Sequence, residues 1–293
     1  MCRPVALIRL PQRSLTIQDI VKYSGNIQKM RVELDAPCRY YLPVGEDEIF
    51  LNPLINQTVS LHFTGTINCI ACGRETSKSF NQGYCFPCLR SLARCDTCIV
   101  RPELCHFHKG TCREPEWAEK NCHRPHVVYL ANSSGLKVGI TRESQIPTRW
   151  IDQGASQALP ILEVPDRYTS GLAEVVFKSH VADRTDWRKM LKGLPEPIDL
   201  EEKRMQLFAD TAAELDKLQH QIGDKTLIKI NNEPVLIGYP VDQYPHQVKS
   251  FNLDKTPGVN ARLTGIKGQY LIFDSGVINM RKYAGYKLVF AHD

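Results

Sequence analysis

The sequence predicts an α+β protein in which β-rich N- and C-terminal regions flank a cysteine-rich zinc-knuckle segment and a small α/β module. Three observations carry that expectation. Nine of the eleven cysteines fall between Cys69 and Cys122. Short runs of alternating apolar and polar residues, separated by Asn, Pro and Gly, occupy both ends of the chain, as half-buried strands require. Between them lies a hairpin pattern followed by segments of helical period. The bounds are residues 1–68 for the N-terminal region, 69–126 for the cysteine-rich segment, 127–194 for the module, 195–222 for a linker helix and 223–293 for the C-terminal region. Two terminal domains, or one domain interrupted by insertions, fit these patterns equally.

In the N-terminal region, Arg31-Val-Glu-Leu and Val59-Ser-Leu-His-Phe are the clearest strands. A hydrophobic content of 42% over 293 residues suits a folded chain. No apolar run approaches the roughly 20 residues of a membrane span, so no membrane partner is expected. Val5 to Leu10 is too short for the apolar part of a signal peptide. The expected compartment is cytoplasmic, where reducing conditions disfavour disulfides and clustered thiols serve as metal ligands.

The cysteine-rich segment has too few large aliphatic side chains for its own core, so bound metal must supply folding free energy. Cys69-x-x-Cys72 and Cys85-x-x-Cys88 have the spacing of a structural four-cysteine zinc site, closed to water. Cys95-x-x-Cys98 is expected to anchor a second zinc site. Its remaining ligands come from Cys105, Cys112 and Cys122, with His106, His108, His123 and His126 behind them. The chain carries a formal charge of +5, which two four-thiolate zinc sites would reduce. Bulk charge therefore makes no case for a polyanion, and only a local patch of Lys and Arg could.

The module opens with Val127-Val-Tyr-Leu-Ala, the turn formers Asn132-Ser-Ser-Gly, and Leu136-Lys-Val-Gly-Ile-Thr, an antiparallel hairpin. A short helix is expected from Pro147 to Gly154, and a second from about Ser170 to Val181 with Leu172, Val175, Val176 and Ser179 on one face. Asp199 to Ile222 reads as one long amphipathic helix, capped by Asp199 with Glu202, striped by Met205, Phe208, Ala212, Leu215 and Leu218, and stopped by Gly223. Strands such as Gln269-Tyr-Leu-Ile-Phe follow.

His126-Val-Val-Tyr-Leu-Ala-Asn, Lys137-Val-Gly-Ile-Thr, Thr148-Arg-Trp and Ala173-Glu-Val together resemble the GIY-YIG endonuclease superfamily, in the branch whose second motif reads K-[IV]-G. The whole arrangement also resembles a bacterial family described only as a domain of unknown function, in which a cysteine-rich segment precedes that hairpin. The nuclease resemblance covers about residues 126–194 and implies a three-stranded antiparallel sheet with packed helices. It places the family's functional positions on Tyr129, Gly139, Arg149 and Glu174, with Lys137 where many members have a second tyrosine. The chemistry implied is hydrolysis of DNA or RNA with one Mg²⁺ or Mn²⁺. Tyr129 would position or deprotonate water, Arg149 would neutralise the phosphorane and Glu174 would hold the metal. Because a phenol titrates near 10, Tyr129 needs a neighbouring cation, and Lys137 is the candidate.

The hairpin is tighter than the family's, Val127 and Val128 precede the tyrosine, and the late asparagine is missing. These departures motivate a non-catalytic nucleic-acid-binding protein on the same fold. A zinc-dependent protein-interaction scaffold is the third reading. Each residue also has a structural explanation: Tyr129 as a strand aromatic, Gly139 as a close backbone contact, and Glu174 as the i,i+4 partner of Lys178. Arg167, His180, Arg184, Arg188 and Lys189 suit phosphate contacts; Trp150 and Trp187 are expected in the core.

Overall fold

The computed structural model describes residues 21–223 and 227–292; Val5 to Leu10 and the rest of residues 1–20 lie outside them. The described residues are mixed α and β, with three antiparallel sheets. The largest has six strands in the order Val21–Asn26, Tyr286–His292, Thr58–Ile67, Gly258–Lys267, Tyr270–Phe273 and Gly276–Asn279. The two terminal β regions thus share one sheet. Everything between Ile67 and Gly258 is inserted between two of its neighbouring strands. The alternation at Val59-Ser-Leu-His-Phe has its reason here, because Val59 and Leu61 are buried while Leu61 sits opposite Val259 on one side and Phe290 on the other. Arg31–Glu33, Arg39–Val44 and Asp47–Phe50 form a three-stranded sheet. Its second turn uses Gly45 at φ 61°, a conformation glycine adopts without steric cost.

The module's sheet runs Val235–Leu236, Gln157–Val164, His126–Asn132, Leu136–Arg142, with Ile228–Lys229 against the other end of Gln157–Val164. His126–Asn132 is buried along its whole length. Its side chains alternate between two cores: Tyr129 and Ala131 join the cluster under the six-stranded sheet, whereas Val128 and Leu130 join a second cluster with Leu159, Ala173, Phe177 and Leu207. Trp150 is buried, edge-on to Tyr129 with ring centroids 6.0 Å apart. Trp187 is half-buried and stacks on Tyr270 at 5.6 Å.

The short helix spans Thr148–Asp152. The next one is Arg167–Lys178, begun by Asp166, whose carboxylate accepts the Thr169 N–H at 2.7 Å. Its buried residues are Thr169, Ser170, Gly171, Ala173 and Phe177, and Val175 is exposed. The expected stripe is rotated because the helix packs on two partners, the second core and the cysteine-rich segment. At Gly171 an added Cβ would lie 2.6 Å from Pro102 Cβ and 2.7 Å from the Glu103 nitrogen.

The expected single helix from Asp199 is two, Leu200–Asp210 and Ala212–Ile222. Asp199 does cap the first, accepting from Glu201 N and Glu202 N. The break is at Thr211, whose hydroxyl donates to the Leu207 carbonyl at 2.7 Å, a side-chain bond that bends helices. Met205 is exposed and Leu207 holds the buried position instead. Among the described residues no helix is long and apolar enough to cross a membrane.

Candidate functional site

The first candidate metal site is assembled by two turns. Cys69 and Cys72 sit on a loop closed by Gly73 N donating to Cys69 O and Cys69 N to Arg74 O, with Gly73 at φ 70°. Cys85 starts the helix Phe86–Ser91, which carries Cys88 one turn on. One sulfur from each of Cys69, Cys72, Cys85 and Cys88 lies within 4.8 Å of the others. The Cys72 to Cys85 separation is 3.7 Å, close to the ~3.8 Å edge of a tetrahedron built on 2.3 Å zinc–sulfur bonds. Burial raises the Cys69 thiol, but the N–H groups of Cys85, Ala71 and Cys72 outweigh it and bring it down to about 6. This cluster can hold a zinc ion.

The remaining cysteines divide. Cys98, Cys105, Cys112 and Cys122 line one small cavity together with His106. Cys95 lies apart, on a much larger groove. Asp96, Cys98 and His106 bring ligand atoms within 4.8 Å of one another, but Asp96 already receives Arg113 Nε at 2.7 Å. His123 packs its ring on Phe107, and His126 Nδ1 is bonded to the Arg124 carbonyl.

The groove, about 1470 Å³, runs between the module and the cysteine-rich segment. Tyr129, Lys137, Gly139, Arg149 and Glu174 all line it. The hairpin register sets Tyr129 directly opposite Gly139. A Cβ at Gly139 would lie 2.7 Å from the tyrosine oxygen, so glycine is what lets the ring lie across the neighbouring strand. Tyr129 donates to Gln153 Oε1 at 2.9 Å, and Lys137 Nζ donates to the same oxygen at 2.6 Å. Gln153 is thus a site residue that the sequence reading missed.

Burial reverses the expected electrostatics of this pair. Tyr129 is pushed up to about 12 by burial, against the lowering influence of Arg149. Lys137 is brought down to about 7, again chiefly by burial, with Arg149 adding to it and Glu174 and Asp183 opposing. Lys137 is therefore not the cation that acidifies Tyr129; it is itself the group that titrates near neutrality. Glu174, largely buried, is raised by desolvation and held back by Lys178. Lys178 Nζ lies 3.6 Å from Glu174 and 3.2 Å from Asp183, so the i,i+4 pair is present.

The groove's lining includes ten Lys and Arg side chains against five carboxylates. That is a local excess which the thinly spread net charge conceals. Arg167 and Arg184 are in it; His180, Trp187, Arg188 and Lys189 are not. The opposite wall comes from the cysteine-rich segment, through Arg94, Arg101 and Glu103. Bonds that tie the cysteine-rich segment to the module include Arg167 Nη2 to the Ile99 carbonyl, Arg167 N to the Cys122 carbonyl at 2.8 Å and Arg142 Nη1 to Asn121 Oδ1 at 2.5 Å.

A family model described as "Protein of unknown function (DUF2797)" matches residues 56–288, from the strand Thr58–Ile67 through the metal segment and groove to the last strand. No curated protein and no solved structure matches the chain.

Proposed function

The chain belongs to the family described as protein of unknown function (DUF2797), and we propose that this zinc-stabilised member processes nucleic acid, as a divalent-metal-dependent phosphodiesterase with a GIY-YIG-like module. The observation that carries the reading is the convergence of Tyr129, Lys137, Gly139, Arg149 and Glu174 on one cation-rich groove. Support also comes from the three central antiparallel strands and the helix Arg167–Lys178 that brings Glu174 to them.

In this reading DNA or RNA lies along the groove with its phosphates against Arg and Lys side chains, an attraction that weakens with salt. Lys137, an amine that loses its proton near pH 7, accepts the proton of the attacking water, since a general base is most effective near the working pH. Tyr129 keeps its proton and fixes Gln153, which in turn orients the Lys137 amine. Arg149 neutralises charge on the phosphorane. Glu174, with Asp183 and Glu103 close enough to influence it, offers the oxygen donors that hard cations prefer. A Mg²⁺ or Mn²⁺ ion there would supply positive charge to the leaving oxygen.

One observation favours a second reading, a non-catalytic nucleic-acid-binding protein: the Lys178 ammonium is already paired with both Glu174 and Asp183. A paired assay separates the two. Labelled single- and double-stranded DNA and RNA are incubated with Mn²⁺ or EDTA, using wild type and Glu174→Ala matched for zinc content and circular dichroism. Metal-dependent cutting that falls about a hundredfold or more in the variant is the expected result. Equal, salt-sensitive binding by both with no product would establish the non-catalytic reading, and neither binding nor cutting would defeat both.

A further inference from the structure

We infer that the groove takes a single-stranded nucleic acid, its phosphates held by five arginines from three parts of the chain. Arg142, Arg149 and Arg167 belong to the module, Arg94 to the cysteine-rich segment, and Arg281 to the turn Met280–Tyr283 that follows the strand Gly276–Asn279. The inference rests on the reading of this groove as a nucleic-acid site and adds the form of substrate.

The groove's carboxylates are engaged elsewhere: Asp96 with Arg113, Glu103 with Arg101, Asp152 with Lys29, and Glu174 and Asp183 with Lys178. Among the described residues none of the five arginines has an ion-pair partner. Arg142 donates to the Asn121 side-chain oxygen and Arg167 to the Ile99 carbonyl, both neutral acceptors. The arginines also crowd one another. Burial lowers Arg167, and Arg149 and Arg142 lower it further; burial lowers Arg281, with Arg149 adding to it and Asp152 opposing. A guanidinium stays protonated at any ordinary pH, so relief must come from an incoming anion. Charges placed on facing walls suit a chain of phosphates better than a lone one.

Two features choose a single strand over a duplex. The first is apolar surface: Ile70, Val100 and Val175 line the same groove and are 45%, 76% and 46% exposed. A duplex keeps its base faces stacked inside and turns phosphate and sugar outward, which gain nothing from such side chains. A single strand offers bare base faces, and grooves that hold one combine cations for the backbone with side chains against which bases lie. The second feature is depth. Tyr129 and Lys137 line the groove yet are buried, so a phosphate has to descend between the walls to meet them. A duplex is stiff over about 150 base pairs and cannot dip one phosphodiester there while staying paired. A single strand bends at every nucleotide.

The test is equilibrium binding in EDTA, where no cleavage intervenes. Labelled single-stranded DNA, single-stranded RNA of the same sequence and the blunt duplex of each are titrated with the full chain across a salt series. At least one single strand should bind about tenfold or more tightly than its duplex, the worth of roughly one base lying on protein, and the two arms tell DNA from RNA. Five phosphate contacts at roughly −0.7 each give an expected slope of log K against log salt of about −3.5. A double variant, Arg94→Gln with Arg281→Gln, should flatten that slope by about 1.4. Val100→Ser, at an exposed position, should weaken single-strand binding and leave the slope alone. Duplexes bound as tightly as single strands overturn the inference while the nucleic-acid reading stands, and no binding of any kind overturns both. An unchanged slope in the double variant, matched to wild type by circular dichroism, overturns the placement of the strand between these walls.

Discussion

Between pH 7 and 10.5 Lys137 is protonated in the unfolded chain and increasingly neutral in the folded one, because burial lowers its folded value from 10.5 to about 7. The unfolded state then binds more protons, so stability must rise with pH across that window. The penalty for burying the ammonium is fully present below about pH 7 and is relieved as pH climbs toward 10.5. We expect urea denaturation at pH 6.5 and pH 9.5 to show wild type gaining a few kcal/mol relative to Lys137→Met. An unchanged difference between the two proteins would place Lys137 in water rather than against Gln153. The hairpin was legible in the sequence, but the pairing of Tyr129 with Gly139 was not: a turn of Asn132-Ser-Ser-Gly would set Tyr129 against Val138, whereas Asn132 belongs to the strand and pairs with Leu136. Gln153 was not legible. It reaches the groove only because the chain leaves the helix Thr148–Asp152 and turns at Gly154, φ 68°, and nothing in a lone glutamine announces that.

Among the elements, the helix Arg167–Lys178 links both halves of the groove, since Glu174 lines it while Gly171 abuts Pro102 and Glu103. On an exposed helix Gly→Ala stabilises by about 1 kcal/mol. Here the added methyl meets the backbone nitrogen of Glu103 at 2.7 Å, and overpacking of this kind costs about 1–3 kcal/mol. Gly171→Ala is therefore expected to lower the melting temperature, and a rise would show that the turn Pro102–Leu104 yields freely. Apolar periodicity located this helix but missed its phase, because it counts large side chains and the contact with the cysteine-rich segment is made at Gly171, which has none. It likewise ran through Thr211, where the apolar pattern stays continuous and a hydroxyl bond to Leu207 interrupts the helix.

For the molecule as a whole, the cysteine-rich segment is the part least able to stand without metal. Its buried apolar side chains are Cys69, Cys85, Ala93, Pro102 and Ala118, far short of a core. The six-stranded sheet has its own, built on residues such as Leu61, Leu263, Leu288 and Phe290. Stripping the metal with a strong chelator should open residues 69–125 to limited proteolysis while amide exchange in the sheet stays slow; uniform protection would mean that the segment folds without ions. Cysteine spacing is what points to such a dependence in the sequence, which left the union of the terminal strands open, because strand pairing across a long insertion leaves no local mark. That union also orders events on the ribosome. The strand Thr58–Ile67 emerges well before Gly258–Lys267 and Tyr286–His292, its neighbours on either side. At about 5–20 residues per second it waits, unpaired, for roughly 10–40 s. During that interval the inserted metal segment and module can fold first, leaving the sheet to be closed last.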